Sequence, residues 1–194
     1  NVLILGLGIS GVSTAKALNK LGAKIIISDS KEEKELKENI NQIKDLDIDL
    51  YLGSNNVPLN NIDLIIKSPG ISPNLDIIKK ADEKGIEVVT DIELAYRISP
   101  NSKFIAITGT NGKTTTTTLV GEFFKKSQLT THVAGNIGKG ILWDVVNSSE
   151  DDVFIIETSS FQLENTVKFN PKISLILNIT PDHLNWHKTL DNYI

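Results

Sequence analysis

The chain has 194 residues, of which 40% are hydrophobic and 23% charged, the composition of an ordinary soluble globular protein. Its net charge of -4 offers no basic excess to displace counterions, so we do not expect a nucleic-acid partner. Cysteine is absent, which excludes disulfides, thiolate metal sites and a cysteine nucleophile. No apolar run approaches the roughly twenty residues that span a bilayer, so we expect a cytosolic protein without a membrane partner.

Two features predict that the sequence is a piece of a longer protein. It contains no methionine, not even at its first position, although a chain of this size normally carries several. It also stops at Ile194 without the Gly, Pro or Ser linker that often marks a domain boundary. We therefore expect the chain to end inside a domain.

The first half alternates short β-branched segments with helical patterns. Its expected strands are residues 2–5, 23–28, 50–52, 64–67 and 87–90, and its expected helices are 11–21, 31–45 and 75–84. Alternation with short connections predicts a parallel sheet that carries helices on both faces. We interpret residues 1–98 as a Rossmann-like domain.

The second half restarts this pattern after the turn formers at 99–102, which are the best linker candidate. Strands are expected at 104–108, 153–157 and 173–178, a helix at 113–126 and a loop at 133–138. The fold class is thus α/β. Because residues 109–115 carry a Gly-x-x-Gly-Lys-Thr loop, we interpret residues 99–194 as part of a P-loop-type α/β ATPase domain.

The first motif is Gly6-Leu-Gly-Ile-Ser-Gly11, which follows a strand and opens a helix. Asp29 ends the next strand, where a dinucleotide site places an acid on a ribose hydroxyl. Backbone donors at a helix N-terminus suit any nucleotide diphosphate. From these residues alone NAD, another nucleotide diphosphate and a structural turn all remain open.

The second motif, Gly109-Thr-Asn-Gly-Lys-Thr-Thr115, resembles a triphosphate loop. Its glycines let backbone N–H groups surround phosphate oxygens, Lys113 adds a charge for the outer phosphates, and Thr114 offers a hydroxyl to Mg²⁺. Ile107 stands where the standard loop has its first glycine. A structural Gly/Thr-rich turn is the alternative, but it leaves the Lys-Thr pair unexplained.

Polar residues at later strand exits complete the candidate site. Glu157 ends a buried strand beside the phosphate loop, where Mg²⁺ is the expected partner and a helix cap the alternative. His183 follows another strand and suits a second metal or a substrate oxygen. Asn136 suits a sugar or a phosphate, whereas a turn is its alternative role. We expect Glu164 and His187 to be solvated surface residues.

Together these residues resemble the Mur ligase family, ATP-dependent enzymes that add amino acids to a UDP-linked peptidoglycan precursor. The similarity rests on Gly-Thr-Asn-Gly-Lys-Thr-Thr, Gly-Asn-Ile-Gly, Glu-x-Ser-Ser-Phe-Gln-Leu-Glu and Asn-Ile-Thr-Pro-Asp-His-Leu, in that order. Lys67-Ser-Pro-Gly-Ile71 and Thr90-Asp-Ile-Glu93 agree in the first half. Ser159–Glu164 is similar to the members that add D-glutamate.

The resemblance implies a UDP ligand for the first domain and assigns roles residue by residue. The implied contacts to the UDP-N-acetylmuramoyl-L-alanine substrate are Ile9, Ser10, Asp29, Ser30, Gly70, Asn136, Ser159, Gln162 and His183. The implied ATP contacts are Gly109, Thr110, Asn111, Gly112, Lys113, Thr114 and Thr115. The implied metal ligands are Thr114, Glu157 and His183, and the implied catalytic residues are Lys113, Glu157 and His183.

The implied reaction is ATP-dependent amide formation between this substrate and D-glutamate through an acyl phosphate, with ATP and Mg²⁺ as cofactors. The resemblance further implies a monomer whose amino-acid-binding domain lies outside residues 1–194, so these residues alone are expected to be inactive. Another amino-acid-adding Mur ligase and a folylpolyglutamate synthetase-like ligase are the alternatives. An NAD-dependent dehydrogenase would leave the phosphate loop and Glu157 without a role.

Overall fold

The computed structural model describes residues 1–194 and contains two parallel β-sheets. The first sheet has five strands in the order β3-β2-β1-β4-β5. The elements of this half are β1 (Val2–Leu5), α1 (Ile9–Lys20), β2 (Ile25–Asp29), α2 (Glu33–Asn41), β3 (Ile48–Leu52), β4 (Leu64–Lys67), α3 (Asp76–Glu83), β5 (Glu87–Val89) and α4 (Asp91–Ile98).

The order of the first sheet places its topological switch between β1 and β4, which pair in parallel with Leu5 beside Lys67. Chain connections run to opposite sides from this point, so the loops that follow the two strands leave a crevice. The two loops are also bonded to each other, because Ser68 N–H donates to the Leu5 carbonyl at 2.9 Å. The Gly6–Gly11 motif therefore lies at the position where open α/β sheets bind ligands.

The second sheet has four parallel strands in the order β7-β8-β6-β9. Its half of the chain comprises β6 (Lys103–Thr108), α5 (Lys113–Lys125), β7 (Thr131–Gly135), α6 (Leu142–Val145), β8 (Val153–Glu157), α7 (Ser160–Leu163), β9 (Ile173–Ile176), α8 (Leu184–His187) and α9 (Leu190–Tyr193). Strand β6, which leads into the phosphate loop, is central and lies between β8 and β9.

The predicted α/β class with parallel sheets is confirmed, and three local expectations need correction. Helix α1 begins at Ile9, two residues before the predicted start, because Gly8 is an extended N-cap. Helix α2 ends at Asn41, since the chain turns at Gln42 and buries Ile43 in the core. Residues 131–135 form strand β7 through pairing with β8, so the predicted loop begins only at Asn136.

The apolar core continues from one sheet to the other. Separate clusters cover the two faces of the first sheet, with Ile4 and Ile27 in one and Leu3 and Leu5 in the other. A further buried cluster joins α1, α4 and the second sheet; its members are Ala17, Ile92, Ala95, Phe104, Ala134, Ile141, Leu142, Val145, Phe154 and Ile156. This shared cluster packs helices α1 and α4 of the first half against the second sheet. None of the helices is both long and apolar enough to cross a membrane.

Candidate nucleotide and substrate site

The first glycine loop is shaped by close backbone contact. Gly6 has φ +95°, in the region that glycine adopts without strain. A Cβ on Gly11 would lie 2.1 Å from the Gly6 carbonyl oxygen, so only glycine fits there. These two positions let α1 begin directly above the end of β1, with its first N–H groups facing the crevice.

Asp29 holds this loop in place from the neighbouring strand. Its Oδ2 accepts the Leu7 N–H at 2.7 Å and its Oδ1 accepts the Lys31 N–H at 2.9 Å. The carboxylate is half-buried, and Ser30 beside it is exposed. These bonds show that Asp29 supports the Gly6–Gly8 turn. Contact of Asp29 with a ribose stays a prediction.

An open cleft of about 360 Å³ lies between the two halves of the chain. It is lined by Gly8, Ile9, Ser10, Ser68, Pro69, Gly70, Gly135, Asn136, Gly138, Lys139 and Gln162. The structure thus brings five of the residues predicted to bind the UDP substrate to one place: Ile9, Ser10, Gly70, Asn136 and Gln162. Asp29, Ser30, Ser159 and His183 do not line this cleft.

The phosphate loop connects β6 to α5, as predicted. Gly109 has φ +140° and Gly112, the N-cap of α5, has φ +85°, so both glycines adopt conformations that other residues avoid. Lys113 Nζ donates to the carbonyl oxygens of Gly109 at 2.7 Å and Thr110 at 2.9 Å. The ammonium group therefore lies over the loop, where it can meet an outer phosphate.

A second strand exit fixes the loop from the other side. Asn178 accepts the Asn111 N–H through Oδ1 and donates to the Asn111 carbonyl through Nδ2, both at 2.9 Å. Thr110 Oγ1 accepts the Thr180 N–H at 3.0 Å and lies 2.9 Å from the Tyr193 hydroxyl. Asn178 and Thr180 belong to the Asn-Ile-Thr-Pro-Asp-His-Leu motif, but no role was predicted for them, and the structure shows that they clamp the loop.

Glu157 has the environment of a cation ligand. Its side chain is buried at the end of β8, which neighbours β6. Oε1 accepts the Asn136 amide at 3.3 Å, while the buried Oε2 has no hydrogen-bond partner. An unpartnered buried carboxylate oxygen is costly, so this atom fits a bound cation.

The side chains present suit Mg²⁺ held jointly with a nucleotide. No group of three or more His, Asp and Glu residues gathers into a metal site. Mg²⁺ needs no such group, because it commonly uses one or two carboxylates together with water and substrate phosphates. Thr114, exposed in the first turn of α5, and Glu157 are the candidate ligands.

The histidines after β9 differ in environment. His183, with φ +52°, is partly exposed and its ring centroid lies 4.8 Å from that of Phe161. His187 is buried and its Nε2 lies 2.9 Å from Ser160 Oγ. The expectation that His187 is solvated is therefore wrong, because the short helix α8 turns it onto α7. Glu164 is exposed as predicted, and it accepts the Trp186 indole N–H at 3.0 Å.

Ser159 and Gln162 form a reciprocal cap on α7. Gln162 Oε1 accepts the N–H and the hydroxyl of Ser159, each at 3.1 Å, and Ser159 Oγ accepts the Gln162 N–H. Both residues are buried. Gln162 reaches the cleft, whereas Ser159 supports it from behind, and substrate contact by Ser159 stays a prediction.

Two buried ionisable residues near the cleft, Lys67 and Asp91, belong to motifs noted in the sequence but were not predicted to be site residues. Lys67 ends β4 fully buried; its Nζ donates to the Ile71 carbonyl at 2.9 Å and lies 5.5 Å from the centre of the Trp186 ring. Burial lowers the pKa of Lys67, although Glu164 opposes the shift. Asp91, in the first turn of α4, is also buried. Apart from these motifs, their sequence signal is an ionisable residue directly next to a strand end, a position that also suits a surface charge.

In each of the two parallel sheets, one strand leads through a glycine-rich loop into the N-terminus of a helix. This arrangement defines an α/β protein with two candidate phosphate-binding sites. Comparison with known families agrees with this class. Residues 1–90 match the description "Mur ligase MurD-like, N-terminal domain", and residues 107–194 match "Mur ligase middle domain". The chain belongs to the Mur ligase family.

Similar proteins carry one functional name. The chain is 51% identical over 193 residues to the UDP-N-acetylmuramoylalanine--D-glutamate ligase of Thermoanaerobacter sp. (strain X514), covering 99% of this chain and 42% of that protein. It is 46% identical to the ligase of the same name from Clostridioides difficile (strain 630), covering 100% of this chain and 43% of that protein. The chain thus spans about two-fifths of the length of these curated relatives.

Solved structures share the fold at lower identity. The UDP-N-acetylmuramate:L-alanyl-gamma-D-glutamyl-meso-diaminopimelate ligase (MPL) of Neisseria meningitides aligns with a TM-score of 0.65 at 17% identity, over 99% of this chain and 64% of that one. The UDP-N-acetylmuramate-alanine ligase MurC of Thermotoga maritima aligns with a TM-score of 0.57 at 22% identity, over 100% of this chain and 45% of that one. Both support the two-sheet architecture.

Proposed function

We propose that the protein uses ATP to join D-glutamate to UDP-N-acetylmuramoyl-L-alanine, a step of peptidoglycan synthesis. The names of relatives that are 45–51% identical support the two substrates. The observation that carries the proposal is the unpartnered Oε2 of Glu157, at the strand beside the phosphate loop and behind the substrate cleft. Asn136 lines that cleft and donates to the same carboxylate.

The chain's own residues can supply the charge that phosphoryl transfer needs. Backbone N–H groups at the start of α5 and the Lys113 ammonium would offset the charge of the outer phosphates. Glu157 and Thr114 would hold Mg²⁺, which when bound neutralises phosphate charge. His183 would contact the acceptor carboxylate or a second metal.

The proposed sequence of steps makes the amide by way of an acyl phosphate. The substrate carboxylate takes the γ-phosphoryl group of ATP, and the amine of D-glutamate then displaces phosphate. We further propose that the protein is a cytoplasmic monomer, which fractionation and light scattering would test. Residues 1–194 alone are expected to lack ligase activity.

The test uses the full-length protein with UDP-N-acetylmuramoyl-L-alanine, ATP, Mg²⁺ and each candidate amino acid in turn. We expect ADP release that depends on D-glutamate, and calorimetric binding of the UDP compound but not of NADH. Lys113→Ala should abolish turnover while the UDP compound still binds. Dependence on another amino acid would point to a different Mur ligase, and binding of NADH alone would overturn the proposal.

A further inference from the structure

Asp91 is a buried carboxyl group that the proposed chemistry does not use. It is only 2% exposed, at the first position of α4. Its Oδ1 accepts the Ile92 N–H at 3.0 Å and the Gln162 Nε2–H at 3.1 Å. Its Oδ2 is enclosed by protein and has no hydrogen-bond partner. A buried carboxyl oxygen without a partner costs stability, because desolvation of a carboxyl group is unfavourable.

The bond to Gln162 crosses from the helix that follows the first sheet to the helix that follows β8. Thr90, the N-cap of α4, adds a second link, since its hydroxyl donates to the Gln162 carbonyl at 3.2 Å. The Gln162 amide oxygen is occupied by Ser159, so Asp91 accepts from the other end of the same amide group. Both ends of the Gln162 side chain are therefore fixed.

Gln162 is also one of the residues that line the cleft, although it is 1% exposed. Ser10 lines the same cleft. Burial raises the pKa of Asp91, while Gln162, Ser10 and the Ile92 N–H oppose that rise. The carboxyl group thus lies directly behind Gln162, one of the residues that line the cleft.

We propose that Asp91 is a positioning residue that holds Gln162 in the cleft, in the orientation required by the nucleoside-diphosphate sugar substrate. The inference rests on the proposed function. The inference goes beyond the proposed function because Asp91, in the first half of the chain, positions Gln162, a cleft residue of the second half. Asp91 itself does not line this cleft and is not expected to touch substrate.

The experiment compares full-length wild type, Asp91→Ala and Asp91→Asn by calorimetric binding of UDP-N-acetylmuramoyl-L-alanine and by KM for ATP. We expect Asp91→Ala to weaken binding of the UDP compound about tenfold, which is the size of effect that the loss of one buried polar contact gives. The KM for ATP should stay within about twofold of the wild-type value. Asp91→Asn should restore most of the affinity, because its amide oxygen accepts the same two bonds.

Asp152→Ala is the matched control. Asp152 is also a buried carboxylate, but it bonds to His132 and Ser149 away from the cleft. This control should lower the melting temperature without changing affinity for the UDP compound. If Asp91→Ala does not fold, a second pair of variants tests the contact. Gln162→Glu removes the amide donor between the two side chains and should weaken binding of the UDP compound. Adding Asp91→Asn supplies an amide donor from the other side and should recover that binding.

The outcomes separate the two proposals. If wild type fails to bind the UDP compound, the proposed function fails and the role of Asp91 fails with it. If wild type binds and Asp91→Ala binds equally well, only the role of Asp91 is overturned. Equal losses in Asp91→Ala and Asp152→Ala, or no recovery in the double variant, would also overturn it, because they would indicate general destabilisation.

Discussion

The Glu93→Gln substitution should strongly destabilise the protein. Glu93 is fully buried in α4, where its carboxylate accepts the N–H groups of Val167, Lys168 and Phe169 at 2.9–3.0 Å. It also accepts Arg97 Nε–H at 2.6 Å. Glutamine keeps the shape but turns an NH₂ group towards these donors, so at least one buried N–H loses its acceptor.

The expected loss follows from the cost of breaking a buried charged network, about 3–5 kcal/mol when one partner is removed. For a protein of this size each kcal/mol shifts the melting temperature by about 2–4 °C, so a decrease of roughly 6–20 °C is expected. Differential scanning calorimetry measures it. The exposed Glu83→Gln on α3 is the control and should change stability by less than about 0.5 kcal/mol.

The pH dependence gives the argument a second test. Burial alone would raise the pKa of Glu93, but the Val167 N–H, Arg97 and the neighbouring N–H groups lower it below its ordinary value. A lowered carboxyl pKa stabilises the fold above the unfolded pKa and loses that contribution as pH falls through the folded pKa. The difference between wild type and Glu93→Gln should therefore shrink on acidification. A loss below about 1 kcal/mol, or one constant with pH, would refute the reasoning.

Three further substitutions test the loops and the buried lysine. Gly11→Ala should distort the first loop, because the new Cβ meets the Gly6 carbonyl, and calorimetry should show binding of UDP-N-acetylmuramoyl-L-alanine weakened at least tenfold. Gly8→Ala is the control, since a Cβ there has open space and this variant should bind normally. Asn178→Ala removes two hydrogen bonds from Asn111 and should raise the KM for ATP about tenfold in steady-state assays, without affecting binding of the UDP compound. Lys67→Met should be at least as stable as wild type at pH 7 in thermal melts, because it removes a buried ammonium. Since the pKa of Lys67 is lowered, the stability advantage of the variant over wild type should shrink as the pH rises towards the pKa of lysine in the unfolded chain. Normal binding by Gly11→Ala, an unchanged KM in Asn178→Ala, or a less stable Lys67→Met would each contradict its prediction.

The phosphate loop could be predicted from sequence because its signals are local. The β-formers of 104–108, the glycines at 109 and 112 and the helix-compatible stretch after Lys113 determine the strand, loop and helix within a few residues of each other. The observed β6 and α5 differ from the predicted bounds by one residue at one end. The Gly6–Gly11 loop was predictable for the same reason.

Contacts between distant segments could not be predicted in this way. Gln162 meets Asp91 across 71 residues, and His187 meets Ser160 across 27. No pattern in either segment distinguishes a histidine that packs against another helix from one that faces water. Strand β7 was missed because its pairing with β8, and not its own composition, makes it a strand.

Asn136 contacts both the cleft and the end of strand β8. Its N–H donates to the Glu157 carbonyl at 3.0 Å, and its side chain donates to the Glu157 carboxylate. The preceding Gly135 has φ +99°, and a Cβ there would lie 2.2 Å from the Glu157 carbonyl oxygen. The turn is therefore pressed against the end of β8, and it lines the cleft on its other side. Asn136 therefore connects the cleft with the carboxylate beside the phosphate loop, and a ligand that displaced Asn136 would change the surroundings of Glu157.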